Sequence, residues 1–409
     1  MVTYIVYWFR MIKCGLSGSK LYLSWLAALA VVVALGGVVY VQQLEEGLIV
    51  THMTNEVCWG LGIANFVYFV GVAAAAVILV FPSYVYHDKE LKEVVLIGEL
   101  LAVVAIMMCL LFIFTDIGRP DRFWHLIPGV GGILNIPSSL LAWDVLVFNG
   151  YLLLNMHVPG YLLYRMYMNK PPRKIFYLPF ALISIVWAVS IHTVTAFLLS
   201  GLGVRYFWNT AVMAPRFLIS AFASGPALLI LIFSVVRANT ALKVSDKVFE
   251  TMRRVMTYTL LMNLFLFGCE IFKELYTNTW HAASADYLLF GFNGKGNLRA
   301  LIWSSLVMQC IAFGLLTLQR TEFKHRYALR VACVFIIIGI WIEKGMGLIF
   351  PGFIPSPLGT YMEYSPSWHE VVLSLSILCL GALLFSIMTK VSIAIQTGSL
   401  RHDNAPQKN

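Results

Sequence analysis

Charge is scarce in this chain, and metal-binding cysteine motifs are missing from it. Only 12% of the 409 residues are Asp, Glu, Lys or Arg, while 60% are hydrophobic. That composition excludes an ordinary water-soluble domain. Seven cysteines occur singly, at positions 14, 58, 109, 269, 310, 333 and 379, with no Cys-x-x-Cys. They read as small buried hydrophobes, which argues against an iron–sulfur cluster or a metal ion held by this chain. A haem held by two histidines needs imidazoles at one depth on facing segments. His157 lies near the inner end of one apolar run and His192 near the outer end of the next, so no haem is expected. The first 20 residues carry no cleavage signature and are read as mature protein. The net charge of +9 suggests nucleic acid at first sight. Its placement at the ends of apolar runs instead points to a lipid bilayer, with no nucleic-acid partner.

Apolar sequence is abundant, and it comes in runs. Ten are long enough to span a bilayer, near 22–42, 57–81, 93–115, 138–163, 176–199, 214–237, 254–276, 300–317, 328–350 and 368–390. Only helices or closed barrels satisfy their backbone in hydrocarbon, and runs of this length are not barrel strands. The expected fold is an all-α integral membrane protein with ten transmembrane helices.

Basic residues set its orientation. Arg10, Lys13, Lys20, Lys89, Lys92, Arg165, Lys170, Arg173, Lys174, Arg237, Lys243, Lys247, Arg253, Arg254, Arg320, Lys324, Arg326, Arg330, Lys390, Arg401 and Lys408 fall on one side. Arg119, Arg122, Arg205, Arg216, Lys273, Lys295, Arg299 and Lys344 fall on the other. The first side is therefore expected to be cytoplasmic, with both termini on it, in a multi-pass protein of the cytoplasmic membrane. The outer connections, 116–135, 200–213, 277–299 and 350–367, are rich in Gly, Pro and aromatics, and are expected to meet a partner.

Trp143–Asn149 and Trp303–Gln309 align weakly, as Trp-Asp-Val-Leu-Val-Phe-Asn with Trp-Ser-Ser-Leu-Val-Met-Gln. That repeat divides the chain into two four-helix bundles, 57–199 and 214–350, with 22–42 and 368–390 flanking them.

The stretch from Asp116 to Asn155 carries the chemistry. Two arginines, two aspartates, a tryptophan and a histidine crowd a short connection, and the next helix takes Asp144 into the membrane. A carboxylate there costs a few kcal/mol and by default marks function. Helix rise puts Asp144, His192 and Asn65 at a similar depth, roughly 9–12 Å below the outer ends of their helices. They lie beneath the loop bearing Arg119 and Arg122, with Trp143, Phe66 and Phe69 as flat apolar neighbours. A quinone head group needs donors to two carbonyls, and a quinol needs acceptors for two protons, which these groups supply. The plainer alternatives are an Asp144 paired with Arg119 or Arg122, and polar residues that bond neighbouring helices. Asp144, Phe148, Tyr151 and Asn155 recur on one helix face and, with Glu99, are candidates for a proton path. Glu270, Lys273, Glu343 and Lys344 read as ion pairs between near neighbours in sequence. Rival readings of the whole chain are a secondary transporter or ion-translocating subunit, and a purely structural membrane anchor.

At these residues the chain resembles the NrfD/PsrC family of quinone-interacting membrane subunits. The likeness runs through Trp59-Gly-Leu-Gly-Ile-Ala-Asn65, Gly118-Arg-Pro-Asp-Arg-Phe-Trp-His125, Trp143-Asp144 and Ile191-His192-Thr193. Gln43–Thr54, Trp208-Asn-Thr-Ala with Ala214-Pro-Arg-Phe, and Trp341–Ser356 look closer to the DsrP members, found in the DsrMKJOP complexes of sulfur-metabolising organisms. An archaeal form is described as a menaquinol-oxidising complex. The resemblance implies a subunit without haem or cluster that handles menaquinone near the outer face and is active only within a complex. The implied partners are a DsrO-like extracytoplasmic iron–sulfur subunit, a DsrJ-like multihaem cytochrome c, and DsrM- and DsrK-like cytochrome b and iron–sulfur subunits. In related subunits of alternative complex III, a Trp-Asp and a Val-His-Ser/Thr line the quinol site, which implies Trp143, Asp144, His192 and Thr193 here. The tyrosine that touches quinone in polysulfide reductase is not matched to a particular residue of this sequence.

Overall fold

A computed structural model describes residues 2–127, 132, 134–276, 279–292, 294–318, 326–356 and 358–402. Parts of the 116–135, 277–299 and 350–367 connections, and Arg320, Lys324 and Lys408 of the basic set, lie outside the described residues. Ten helical segments among the described residues are long and apolar enough to cross a membrane, as expected. The chain is a multi-pass membrane protein. Its spans are α2 (Lys20–Glu46), α3 and α4 (Leu61–Ala74 and Val77–Tyr84), α5 (Lys89–Asp116), α6 (Leu140–Tyr167), α7 (Leu178–Ser200), α8 (Met213–Asn239) and α9 (Asp246–Tyr276), then α11 (Arg299–Leu318), α12 (Arg326–Trp341) with its continuation, and α14 (Trp368–Gln396).

Side-chain caps start several of them. Ser19 accepts from the Tyr22 amide, Asp88 from Glu90 and Leu91, and Ser139 from Ala142. α14 opens with a reciprocal box, in which Ser367 accepts from the Glu370 amide at 3.3 Å and Glu370 from the Ser367 amide at 2.9 Å. Outside the membrane, Lys247 hydrogen-bonds the Asp88 carboxylate at 2.8 Å and holds it below the ordinary carboxylate range.

Two further helices stand outside the ten runs. α1 (Val2–Leu16) buries Tyr7 and Met11, four residues apart, and exposes Trp8 and Phe9. Tyr7 packs edge-on against Tyr164 and Tyr167, with ring centres 5.2 and 5.0 Å apart. α10 (Ala282–Leu289) lies in the connection between α9 and α11. Both are too short to register as membrane runs.

The span after α12 changes pitch. Ile342–Met346 forms a π-helical turn, followed by a short α13 (Gly347–Ile349). α3 packs on α8 and on this turn. Small residues allow the approach: a Cβ on Gly225 would collide with the Ala75 Cβ, and one on Gly71 would lie 3.5 Å from Ala221. The sequence repeat is one residue out of step with the packing. α6 buries Asp144, Phe148, Tyr151 and Asn155, whereas α11 buries Ser305, Gln309, Ala312 and Leu316 and exposes Ser304.

Candidate functional site

α6 and α7 carry the acid and the imidazole. Asp144 is 3% exposed and His192 fully buried, although both lie in helices that cross the membrane. The Thr195 hydroxyl donates to Asp144 Oδ1 at 3.1 Å and also approaches the Ile191 carbonyl at 2.8 Å. Asp144 Oδ2 has no hydrogen-bond partner among the described residues. His192 Nδ1 lies 3.0 Å from the Ala188 carbonyl, and a carbonyl only accepts, so Nδ1 carries the proton. In the neutral ring Nε2 is then a bare acceptor, buried and without a partner among the described residues. Two helices therefore present two proton-accepting atoms inside the protein. Neither is engaged by a described arginine.

Neither arginine of the 116–135 connection pairs with Asp144. Arg119 grips Asp121 instead, through bonds of 3.0 and 2.9 Å on the exposed surface. Arg122 is exposed in the short helical turn Pro120–Leu126 and is not brought to Asp144.

Other expectations need correcting too. Thr193 points away: its hydroxyl donates to its own helix at Val189, at 2.9 Å on an exposed face. Thr195, three residues from His192, shares its face and takes the place the motif gave to Thr193. Trp143 is half-buried and donates back to the Pro137 carbonyl at 3.2 Å, on the adjoining face of α6. Asn65 is buried but accepts from the Trp341 indole at 2.8 Å, so it joins α3 to α12 rather than completing the acid–imidazole pair.

The aromatic wall is partly as expected. Phe66 meets Phe148 at 5.4 Å, one turn from Asp144, and half-buried Phe69 stacks on Phe112 at 5.9 Å. The stripe beyond Asp144 is fully buried, and its polar atoms serve packing. Tyr151 donates to the Ala73 carbonyl at 3.3 Å, and Asn155 to the Tyr151 carbonyl at 2.9 Å. Glu99, on α5, is buried beside Tyr84.

The pairs expected between Glu270 and Lys273, and between Glu343 and Lys344, do not form. Arg216, expected on the outer surface, is 5% exposed in the first turn of α8. It bridges Glu270 of α9 and Glu343, the latter at 2.9 Å. Glu343 also accepts from Asn263 at 2.9 Å and Gln309 at 2.7 Å. Lys273 pairs with Glu274. Lys344 turns the opposite way, and its buried ammonium donates to the Phe217 carbonyl at 3.2 Å and lies 4.3 Å from the Phe217 ring centre. It sits within electrostatic reach of His192 and Cys109. Adjacent residues on a helix do not face each other, so Glu343 and Lys344 serve different neighbours.

Above the site the connections lock together. Trp208 stacks on Trp59 at 5.3 Å and donates to the Leu348 carbonyl at 2.8 Å. Any side chain on Gly352 would collide with the Trp208 ring. Arg205 caps Phe353, Ser284 bonds the Ile354 carbonyl, and Glu363 accepts from the amides of Gly296 and Asn297. Glu370 accepts from the His52 amide at 3.1 Å and from the Tyr364 hydroxyl, while Tyr364 accepts from the Leu61 amide at 2.8 Å. Burial, then the Glu370 charge, raises the Tyr364 phenol above its ordinary range, so it remains a donor. Phe123 and Trp124 are exposed.

A ten-span bundle with a buried acid and imidazole defines a multi-pass membrane protein, and comparison with known proteins gives its family. The family model described as "Polysulphide reductase, NrfD" matches residues 49–354, and the chain belongs to that family. It is 24% identical to the C subunit of selenate reductase from Mesobacillus selenatarsenatis, over 91% of this chain and 93% of that protein. It is 23% identical to a protein of Halobacterium salinarum named as the putative C membrane subunit of a dimethyl sulfoxide reductase, over 88% and 89%. It is 28% identical to an Hdr-like menaquinol oxidoreductase integral membrane subunit of Archaeoglobus fulgidus, over 51% and 49%.

Proposed function

We propose that this chain is the membrane subunit of a respiratory redox complex, and that it oxidises menaquinol or reduces menaquinone beside Asp144 and His192. One observation carries the reading: Asp144 Oδ2 and His192 Nε2 are buried proton acceptors on neighbouring helices, unpartnered among the described residues. Oxidation of a quinol releases two protons and two electrons. The protons pass to those two atoms, and the electrons to an iron–sulfur subunit seated on the capped face. Phe66 and Phe148 supply an apolar wall for the ring. Thr195 holds the carboxylate in place through Oδ1 and leaves Oδ2 open to the substrate. The naming of one relative for a menaquinol oxidoreductase supports the substrate class. The finer assignment, a DsrMKJOP-type complex linked to sulfur compounds, rests on the string resemblances alone.

The basic residues support an orientation with the capped face outside and both termini in the cytoplasm. Arg216 and Lys344 are buried, so they no longer count for the outer surface, and the asymmetry sharpens.

Asp144→Asn tests the site. It keeps shape and hydrogen bonding but cannot take a proton. Turnover per assembled complex should fall at least about tenfold, since general bases typically contribute about 10²–10⁴-fold. Affinity for a quinone analogue should change much less. Unchanged specific turnover would move the site elsewhere. An anchor or an ion carrier would show no saturable binding of the analogue at all.

A further inference from the structure

At the end of the molecule opposite Asp144, three helix ends leave a cavity between them. α8 finishes there at Asn239, α9 begins at Asp246, and α12 begins at Arg326. The cavity measures about 210 Å³ and is lined by Ser234, Arg237, Asp246, Phe249, Leu329 and Arg330, among others. Phe249 and Leu329 are 5% exposed and give it an apolar floor. Among the described residues its rim carries two guanidiniums and one carboxylate.

The two arginines are held differently. Arg237 pairs with Asp246 at 2.5 Å, and its guanidinium lies 5.8 Å from the Phe249 ring centre. That contact uses one amino group and fixes the plane of the fork. Arg330 is exposed and has no hydrogen bond or ion pair with any described residue. A planar fork suits the oxygens of a phosphate better than an ammonium does. The Ser234 hydroxyl donates to the Ile230 carbonyl at 2.8 Å, so toward the cavity it can only accept. It offers an acceptor that a bare phosphate cannot use but a headgroup hydroxyl can.

Position narrows the ligand further. The cavity lies in the last turns of one span and the first turns of two others, at headgroup depth. Arg330, Val334 and Ile338 follow at helical spacing along α12, and Val334 and Ile338 are 40% and 42% exposed. An acyl chain can run down that stripe from a phosphate held at Arg330. We propose that this cavity binds the headgroup of an anionic phospholipid, with its phosphate between Arg237 and Arg330 and a headgroup hydroxyl toward Ser234. Basic pockets between spans are a recurrent way of holding such headgroups. The proposal stands apart from the quinone reading and does not depend on which side of the membrane this end faces.

The test uses the full chain, in its complex where one is isolated, in bilayer discs of phosphatidylcholine containing a minor fraction of phosphatidylglycerol. Native mass spectrometry counts the phosphatidylglycerol retained as detergent strips the disc. Arg330→Gln touches no described contact and should reduce retention about fivefold, the effect of one basic residue at a membrane surface. Arg237→Lys keeps the charge but loses the fork, and should give a smaller drop. Lys170→Gln removes a basic residue elsewhere at this end, and should match the unaltered chain. Equal retention in all four proteins would overturn the proposal. So would displacement by excess inorganic phosphate, which would make the ligand a soluble phosphate compound. Retention of phosphatidylcholine equal to that of phosphatidylglycerol would also overturn it.

Discussion

At the scale of single residues, Asp144 and His192 stand out because polar groups are costly in an apolar run, and the structure buries both. Their surroundings were not legible. Thr193 entered through a motif, but helical spacing from His192 selects Thr195, which donates to Asp144. Thr195→Val should therefore lower quinol-linked turnover about tenfold, the value of one hydrogen bond to a charged group. Thr193→Val should leave turnover unchanged, and paired assays of the two variants decide between them. Arg216 escaped sequence reading because it lies where α8 meets its preceding loop, and nothing in the sequence shows that two glutamates from other helices converge on it. Removing one partner from such a buried group typically costs about 3–5 kcal/mol. Arg216→Ala should leave Glu270 and Glu343 buried without their cation, and sharply reduce recovery of folded protein in a thermal aggregation assay.

At the scale of helices, length and hydropathy identified all ten spans, with most ends displaced by a few residues, the start of α9 by eight and the end of α14 by six. α1 and α10 went unseen because neither makes a long apolar run. The exposed Trp8 and Phe9 of α1 belong to an amphipathic surface helix, not to a span. The repeat failed in register because matching letters do not reveal which face of a helix is buried. The close approach of α3 and α4 to α8 was equally hidden, since it depends on Gly225 meeting Ala75 across the bundle. Gly225→Leu should force these helices apart. Overpacking of this kind costs about 1–3 kcal/mol, and would appear as a lowered melting midpoint without any change at the polar atoms of the site.

At the scale of the whole molecule, an even number of spans puts both termini at one end. Contacts there agree: Lys390 of α14 lies 4.0 Å from the Tyr22 ring centre, and the His402 amide bonds the Tyr167 carbonyl at 3.1 Å. If that end is cytoplasmic, a cysteine placed at Lys170 in a background without other cysteines will resist an impermeant thiol reagent in intact cells. Reaction from outside would invert the orientation. At the opposite end, the connections 200–213, 277–299 and 350–367 brace one another where they are described. A partner would meet one folded surface there.

Glu370 gives that surface a history as well as a shape. It stands at the start of the last span, yet it accepts from the His52 amide and from Tyr364, which in turn holds the Leu61 amide at the start of α3. A ribosome delivers residues 52 and 61 to the membrane long before residue 370 exists. The mouth of the second span must therefore wait, its amides served by water, until the tenth span arrives. The cap is thus completed only once Glu370 has been made, and any truncation before Tyr364 leaves the Leu61 amide without that hydroxyl.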